Sequence, residues 1–254
     1  MPAHARVPAY AHPVLRITDA RTRQSVEAAP ARRGLTRIEA HVPSFDTGAL
    51  RVLLVADLLV RALELGGTPA WGVLTGEREQ SELRAGSAAL GVRPFEDRRD
   101  VGSGLGEGQV VHVVAEGGAS PEGLRVVVAP VDPEEPGVTE GADPTALRLA
   151  LISRRHGEPV RLDRAALADA HATLVRWRHA VAAWARQPSR PVPDEARTRL
   201  RTAWEDDLNI PAVLQALTWV ETSADLPEGA RFETYAYADR LLGLELTRDL
   251  GSPS

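Results

Sequence analysis

The sequence predicts an α/β half followed by an all-α half: a mainly parallel sheet flanked by helices, then a helical bundle. Three observations carry that expectation. Between Ile38 and Thr75 an apolar run, a turn, a long amphipathic stretch and a second apolar run succeed one another as strand, helix and strand. Two further near-continuous apolar runs, Gln109 to Ala115 and Leu124 to Ala129, have the composition of strands covered on both faces. From Thr145 onward the pattern is helical throughout. The expected division is residues 1–142 for the α/β part, opened by a hairpin, and 143–254 for the bundle.

Residues 1–13, rich in proline and alanine, read as an arm. Leu15 to Thr18 and Gln24 to Val26 form the candidate hairpin, with Asp19 to Arg23 as its turn. The first sheet strand is Ile38 to Val42, broken by Pro43, Ser44, Asp46 and Gly48. Leu50, Leu53, Leu54, Asp57, Leu58, Arg61 and Leu65 then recur at helical spacing, and Gly66-Gly67 stops the helix. Pro69 to Thr75 supplies the next strand, so the three pieces make a βαβ unit with a right-handed crossover. A surface helix is expected within Gly76 to Gly91.

The glycines at 102, 104, 106 and 108 precede a strand. A dinucleotide fingerprint instead needs glycines that leave a strand and open a helix, so this run reads as a flexible connector. Pro130 to Pro144 reads as a linker. Five helices follow. The first is capped by Asp143 with Pro144 at its first position, and the second by Asp163. The second helix carries the line Leu167, Ala170, Leu174, Trp177, Val181 and Trp184, and the third runs through Ala196, Leu200 and Trp204. The fourth starts after Asn209 and the fifth ends before Gly243. Trp177, Trp184 and Trp204 are expected as core filling rather than as stacking platforms.

Composition excludes several chemistries. The chain of 254 residues has no cysteine, which removes disulfides, thiolate nucleophiles and cysteine-ligated zinc. It has no lysine, so all 30 basic residues are arginine and no Walker or Schiff-base lysine is available. No apolar run approaches the ~20 residues of a membrane span, and the first residues lack the core of a signal peptide. The cytoplasm is therefore the expected location. Residues 151–201 hold 11 Arg against 5 acidic residues, while 202–254 hold 3 against 10. That asymmetry fits either an RNA-facing surface or a basic helix pair neutralised by the acidic helices that follow, and the second is favoured.

Several segments resemble cysteinyl-tRNA synthetases. Asp206-Asp-Leu-Asn-Ile-Pro-Ala-Val-Leu-Gln-Ala-Leu217 is similar to a signature of their helical domain, and Ala238-Asp-Arg-Leu-Leu-Gly-Leu244 to their closing helix. Asp143 to Ser153, Pro159 to Asp163 and the hairpin Leu15 to Gln24 match in the same order, so the resemblance covers about two thirds of the chain. It implies a Rossmann-like, class I nucleotide-binding fold. It also implies ATP or AMP and an amino acid as candidate ligands, with tRNA a less favoured partner.

The departures bear on chemistry. Aligning Arg51 and Asp57 places the family's His-Ile-Gly-His motif on Asp46, Thr47, Gly48 and Ala49, where only the glycine survives. The Lys-Met-Ser-Lys-Ser loop cannot exist without lysine. The family's first zinc-binding cysteine falls near His41, which alone makes no site, so no metal is expected and zinc is disfavoured. No catalytic residue is assigned. The candidate pocket is Pro43, Ser44, Asp46, Thr47, Gly48, Arg51 and Trp71, beyond the carboxyl ends of the strands. Three readings result. The first is a non-catalytic or repurposed relative of the synthetases. The second is an ATP-dependent ligase of the same lineage joining an amino acid to an amine, as the mycothiol-pathway ligase does. The third is an RNA- or partner-binding module. Oligomeric state is left open.

Overall fold

The computed structural model describes residues 14–30, 35–76, 78–97, 109–119, 121–133 and 137–251. The arm and the glycine run lie outside the described residues. The chain opens with an antiparallel hairpin of β1 (Arg16–Asp19) and β2 (Gln24–Glu27), where Arg23 takes a left-handed φ of 57° in the turn. The sheet comprises β3 (Thr36–His41), β4 (Ala70–Thr75), β5 (Glu96–Asp97), β6 (Val110–Ala115) and β7 (Leu124–Val128). Its order is β5-β4-β3-β6-β7 and every pairing is parallel, so the fold is the Rossmann-like one expected.

Strand periodicity sorts the sheet's side chains. Ile38 and Ala40 of β3, with Val111 and Val113 of β6, join the hydrophobic core, whereas Glu39 and His41 alternate to the opposite face. Helix α1 (Thr47–Leu65) packs on β3, β4, β6 and β7 and is buried around almost its whole girth, which its leucine and valine content allows. Helix α2 (Gln80–Ala89) is amphipathic and buries only Leu83.

The second half holds α3 (Pro144–Ile152), α4 (Arg164–Trp184), α5 (Asp194–Glu205), α6 (Ile210–Thr222) and α7 (Glu228–Leu242). Asp143, Asp163 and Asn209 cap α3, α4 and α6 by accepting from backbone N–H groups, as the sequence indicates. The full line from Leu167 to Trp184 is buried, and Trp177 and Trp184 meet Tyr235 edge-on at 5.8 and 5.2 Å. The tryptophans therefore fill the core. Leu214 is only half-buried, on the rim of a groove between α4 and α6.

The linker expectation for residues 130–144 needs correction. Its first residues form β8 (Val131–Pro133), which pairs in parallel with β9 (Val160–Leu162). The partner strand lies far along the chain, so proline and acidic content dominated the local signal. Helix α1 also packs against α3 and α7, and one hydrophobic core runs through both halves. No helix among the described residues is long and apolar enough to cross a membrane.

Candidate functional site

The loop after β3 builds the start of α1. Asp46 is extended, at φ −157° and ψ 179°, and its Oδ1 accepts from the Ala49 N–H at 2.6 Å. The free N–H groups and dipole of a helix start attract anions, and here the chain's own carboxylate occupies that position. Pro43 and Asp46 are exposed, Ser44, Thr47 and Gly48 are half-buried, and the Phe45 N–H donates to Glu79 at 2.7 Å. These five candidate residues lie together on the stretch that leads from β3 into the first turn of α1.

The remaining two candidates do not join it. Arg51, 1 % exposed, points inward and donates to the carbonyls of Leu151, Ala129 and Arg155 at 3.3, 2.7 and 2.9 Å. Burial lowers its pKa to about 10, against an opposing pull from Glu158, so it stays cationic at neutral pH. It fastens α1 to the β7–β8 connection and to the segment after α3. Trp71 pairs in register with Arg37, near the amino end of the sheet, because β4 begins at Ala70 and only Thr75 reaches the end beside His41. Strand direction thus sets Trp71 at the opposite end of β4 from the strand end that faces the 43–48 loop.

The sheet order relocates the crevice. From β3 the chain moves outward through β4 to β5, then returns to place β6 on the other flank of β3, so the reversal lies between β3 and β6. Ligands of open α/β sheets lie beyond the strand ends at that reversal. Here Glu39 pairs in register with His112, and His41 follows at the end of β3. His41 Nε2 and His112 Nδ1 are 3.0 Å apart, while Glu39 Oε2 lies 3.4 Å from His112 Nδ1 and 3.7 Å from His41 Nε2. Glu39 is fully buried, His112 is 4 % exposed and Arg37 Nε forms an ion pair with Glu39 Oε1 at 2.8 Å. The expectation that His41 stands alone is thus corrected. Its two companions come from the same strand and from a neighbour whose adjacency no local pattern reveals.

Two further polar clusters are structural. Asp57, fully buried on α1, meets Arg61 at 2.8 Å, Arg148 at 3.0 Å and Arg93 at 3.2 Å. Arg148 also donates to the carbonyls of Leu242 and Leu90, and a Cβ at Gly243, which takes φ 61°, would sit 3.0 Å from its Nη2. Glycine is therefore required at 243 both for backbone and for space. In the Asp206-to-Asn209 segment, Asp207 and Leu208 adopt left-handed φ of 57° and 48°. The Asp207 carboxylate accepts from the Thr18 N–H at 2.8 Å and meets His156 Nε2 at 3.2 Å. Its burial would raise its pKa, but the His156 hydrogen bond and charge outweigh that and bring it down to about 2.

The fold is an open parallel α/β sheet of Rossmann-like order carrying a helical bundle, with its strand order reversing between β3 and β6. No family model matches the chain. Among curated proteins it is similar to L-cysteine:1D-myo-inositol 2-amino-2-deoxy-alpha-D-glucopyranoside ligases. The one from Streptomyces griseus is 37% identical over 111 residues, 42% of this chain and 26% of the enzyme. Those of Rhodococcus jostii and a Parafrankia species are each 36% identical, over 113 and 118 residues, covering 43% of this chain and 26% of each enzyme. The chain therefore spans about a quarter of the length of the curated relatives it matches. Over that part of the chain the similarity is to these L-cysteine ligases.

Proposed function

We propose that this protein is a repurposed relative of the cysteine:amino-sugar ligases, binding a small amino-acid or nucleoside-like ligand at the carboxyl edge of its sheet without activating it through ATP. The observation that carries the reading is Asp46. Its carboxylate caps α1 at 2.6 Å in the place where a phosphate would have to sit, and like charges there repel. The chain holds no lysine, and Arg51 is committed to three backbone carbonyls, so neither offsets that repulsion. A ribose hydroxyl, an amine or the single negative charge of an acyl-sulfamate link suits the same edge better than the multiple charges of a triphosphate.

Calorimetry with ATP and with the sulfamoyl analogue of cysteinyl adenylate tests this. The analogue is expected to bind, ATP is expected not to bind in the micromolar range, and Asp46→Asn should improve ATP while retaining the cap. Micromolar ATP binding that Asp46→Asn leaves unchanged would place the phosphate path elsewhere.

A second reading, catalysis as an amino-acid:amine ligase, is favoured by the identity of 35–37% with ligases. It requires cysteine-dependent exchange of pyrophosphate into ATP. A robust exchange signal would replace the first reading with the second.

A further inference from the structure

We propose that the cavity between α2 and β5 binds an apolar α-amino acid as its zwitterion, on the face of the sheet that α1 covers. The cavity is about 400 Å3, which suits a ligand of amino-acid size because ligand pockets run from ~300 to 1,000 Å3. None of the 43–48 residues lines it, so it is separate from the loop that opens α1. Leu53 of α1 and Leu74 of β4, both buried, form its floor, and Val92 and Phe95 from the segment leading into β5 form one wall. A Cβ at Gly72 would collide with the Phe95 ring, so that glycine lets the ring press against β4. An apolar side chain entering here leaves water for contacts that are already in position.

The charges beside this apolar floor select the ligand. Asp97 pairs in register with Leu74, so its carboxylate stands on the same face of the sheet as the floor. Arg84 Nη2, on α2, meets Asp97 Oδ2 and Gln80 Oε1, each at 3.5 Å. Charge-assisted hydrogen bonds run nearer ~2.7–2.9 Å, so this pair is loose and has capacity for stronger partners. A ligand carboxylate on Arg84 and a ligand ammonium on Asp97 would both supply shorter contacts, with the side chain directed to the floor. Arg93 also lines the cavity, but its Nε and Nη1 are committed to Asp57 at 3.2 Å and Glu64 at 2.6 Å, so the carboxylate falls to Arg84. An acid without an amine sets an anion beside Asp97, and an amine without an acid sets a cation beside Arg84, so each is disfavoured. Helix α2 has Leu83 as its one buried residue, and a ligand wedged between it and the sheet adds contacts to a weakly anchored element.

The test uses the full chain and calorimetry with L-leucine and L-phenylalanine, alongside phenylpropanoate, which lacks the amine, and phenylethylamine, which lacks the carboxylate. Each amino acid is expected to bind once per chain, and each phenylalanine analogue at least tenfold more weakly. Arg84→Gln and Asp97→Asn should each weaken L-leucine at least tenfold, and bound L-leucine should slow hydrogen exchange at the α2 amides. Asp46→Asn, at the start of α1, should leave L-leucine binding unchanged, so failure here and failure at the 43–48 loop are read separately. Arg84 is exposed, so Arg84→Gln is expected to fold, which circular dichroism verifies. If Asp97→Asn does not fold, the comparison of phenylpropanoate with L-phenylalanine on the wild type takes its place. No saturable binding of either amino acid up to about 1 mM, undiminished binding by either folded variant, or phenylpropanoate binding as tightly as L-phenylalanine, overturns the proposal.

Discussion

Asp57 shows how far a single residue's role escapes local reading. Its place on the α1 seam is legible from spacing, but its three arginine partners come from α1 itself, the segment after α2, and α3. Removing its charge leaves Arg148, which is fully buried, facing Arg61 with Asp239 as the remaining carboxylate acting on both. Breaking such a buried pair costs about 3–5 kcal/mol. Asp57→Asn is therefore expected to lower stability by that order in urea denaturation, with an unchanged slope. A loss under about 1 kcal/mol would show that water or relaxation compensates the arginines. Arg51 carries the same lesson. Its alignment with a nucleotide-site helix suggested a ligand contact, yet nothing local indicated the three carbonyls that surround it.

At the scale of elements, the sequence was most informative where capping and periodicity act locally. Helices α3, α4, α6 and α7 start or stop at the Asp, Asn and Gly residues that mark them. It was least informative where an element exists only through a distant partner, as with β5, β8 and β9. The Asp206-to-Asn209 turn is the joint that ties such distant parts, since Asp207 holds both the hairpin's Thr18 and His156. Because its folded-state pKa, about 2, lies below the ordinary 3.8, its contribution is present above pH ~4 and is lost as pH falls toward 2. After allowance for solvent screening the loss is on the order of 1 kcal/mol. Asp207→Asn should thus flatten the acid limb of a stability–pH curve between pH ~4 and 2. An unaltered limb would move the acid sensitivity to other carboxylates.

Over the whole molecule, the class of fold was readable and the strand order was not. Apolar runs and a βαβ unit are properties of segments. The decision to bring β6 back beside β3 is a property of the assembled sheet, and it placed the reversal of strand order between β3 and β6 and brought His41 together with His112. The continuous core predicts how the protein unfolds. Four of its five tryptophans, at positions 177, 184, 204 and 219, report on the bundle, whereas far-ultraviolet dichroism reports on both halves. Fluorescence and dichroism should give coincident denaturation curves. Separated midpoints would mean that the sheet and the bundle are distinct cooperative units.

The β8–β9 pair also bears on how the chain withstands cutting. Its two strands flank the exposed turn at Gly141, so a protease nick there would leave one strand on each product. Asp57 and Arg148 would likewise be parted covalently while still bonded. Such a nicked molecule is expected to migrate as one particle under native conditions and as two bands only after denaturation, behaving as a self-complementing split protein.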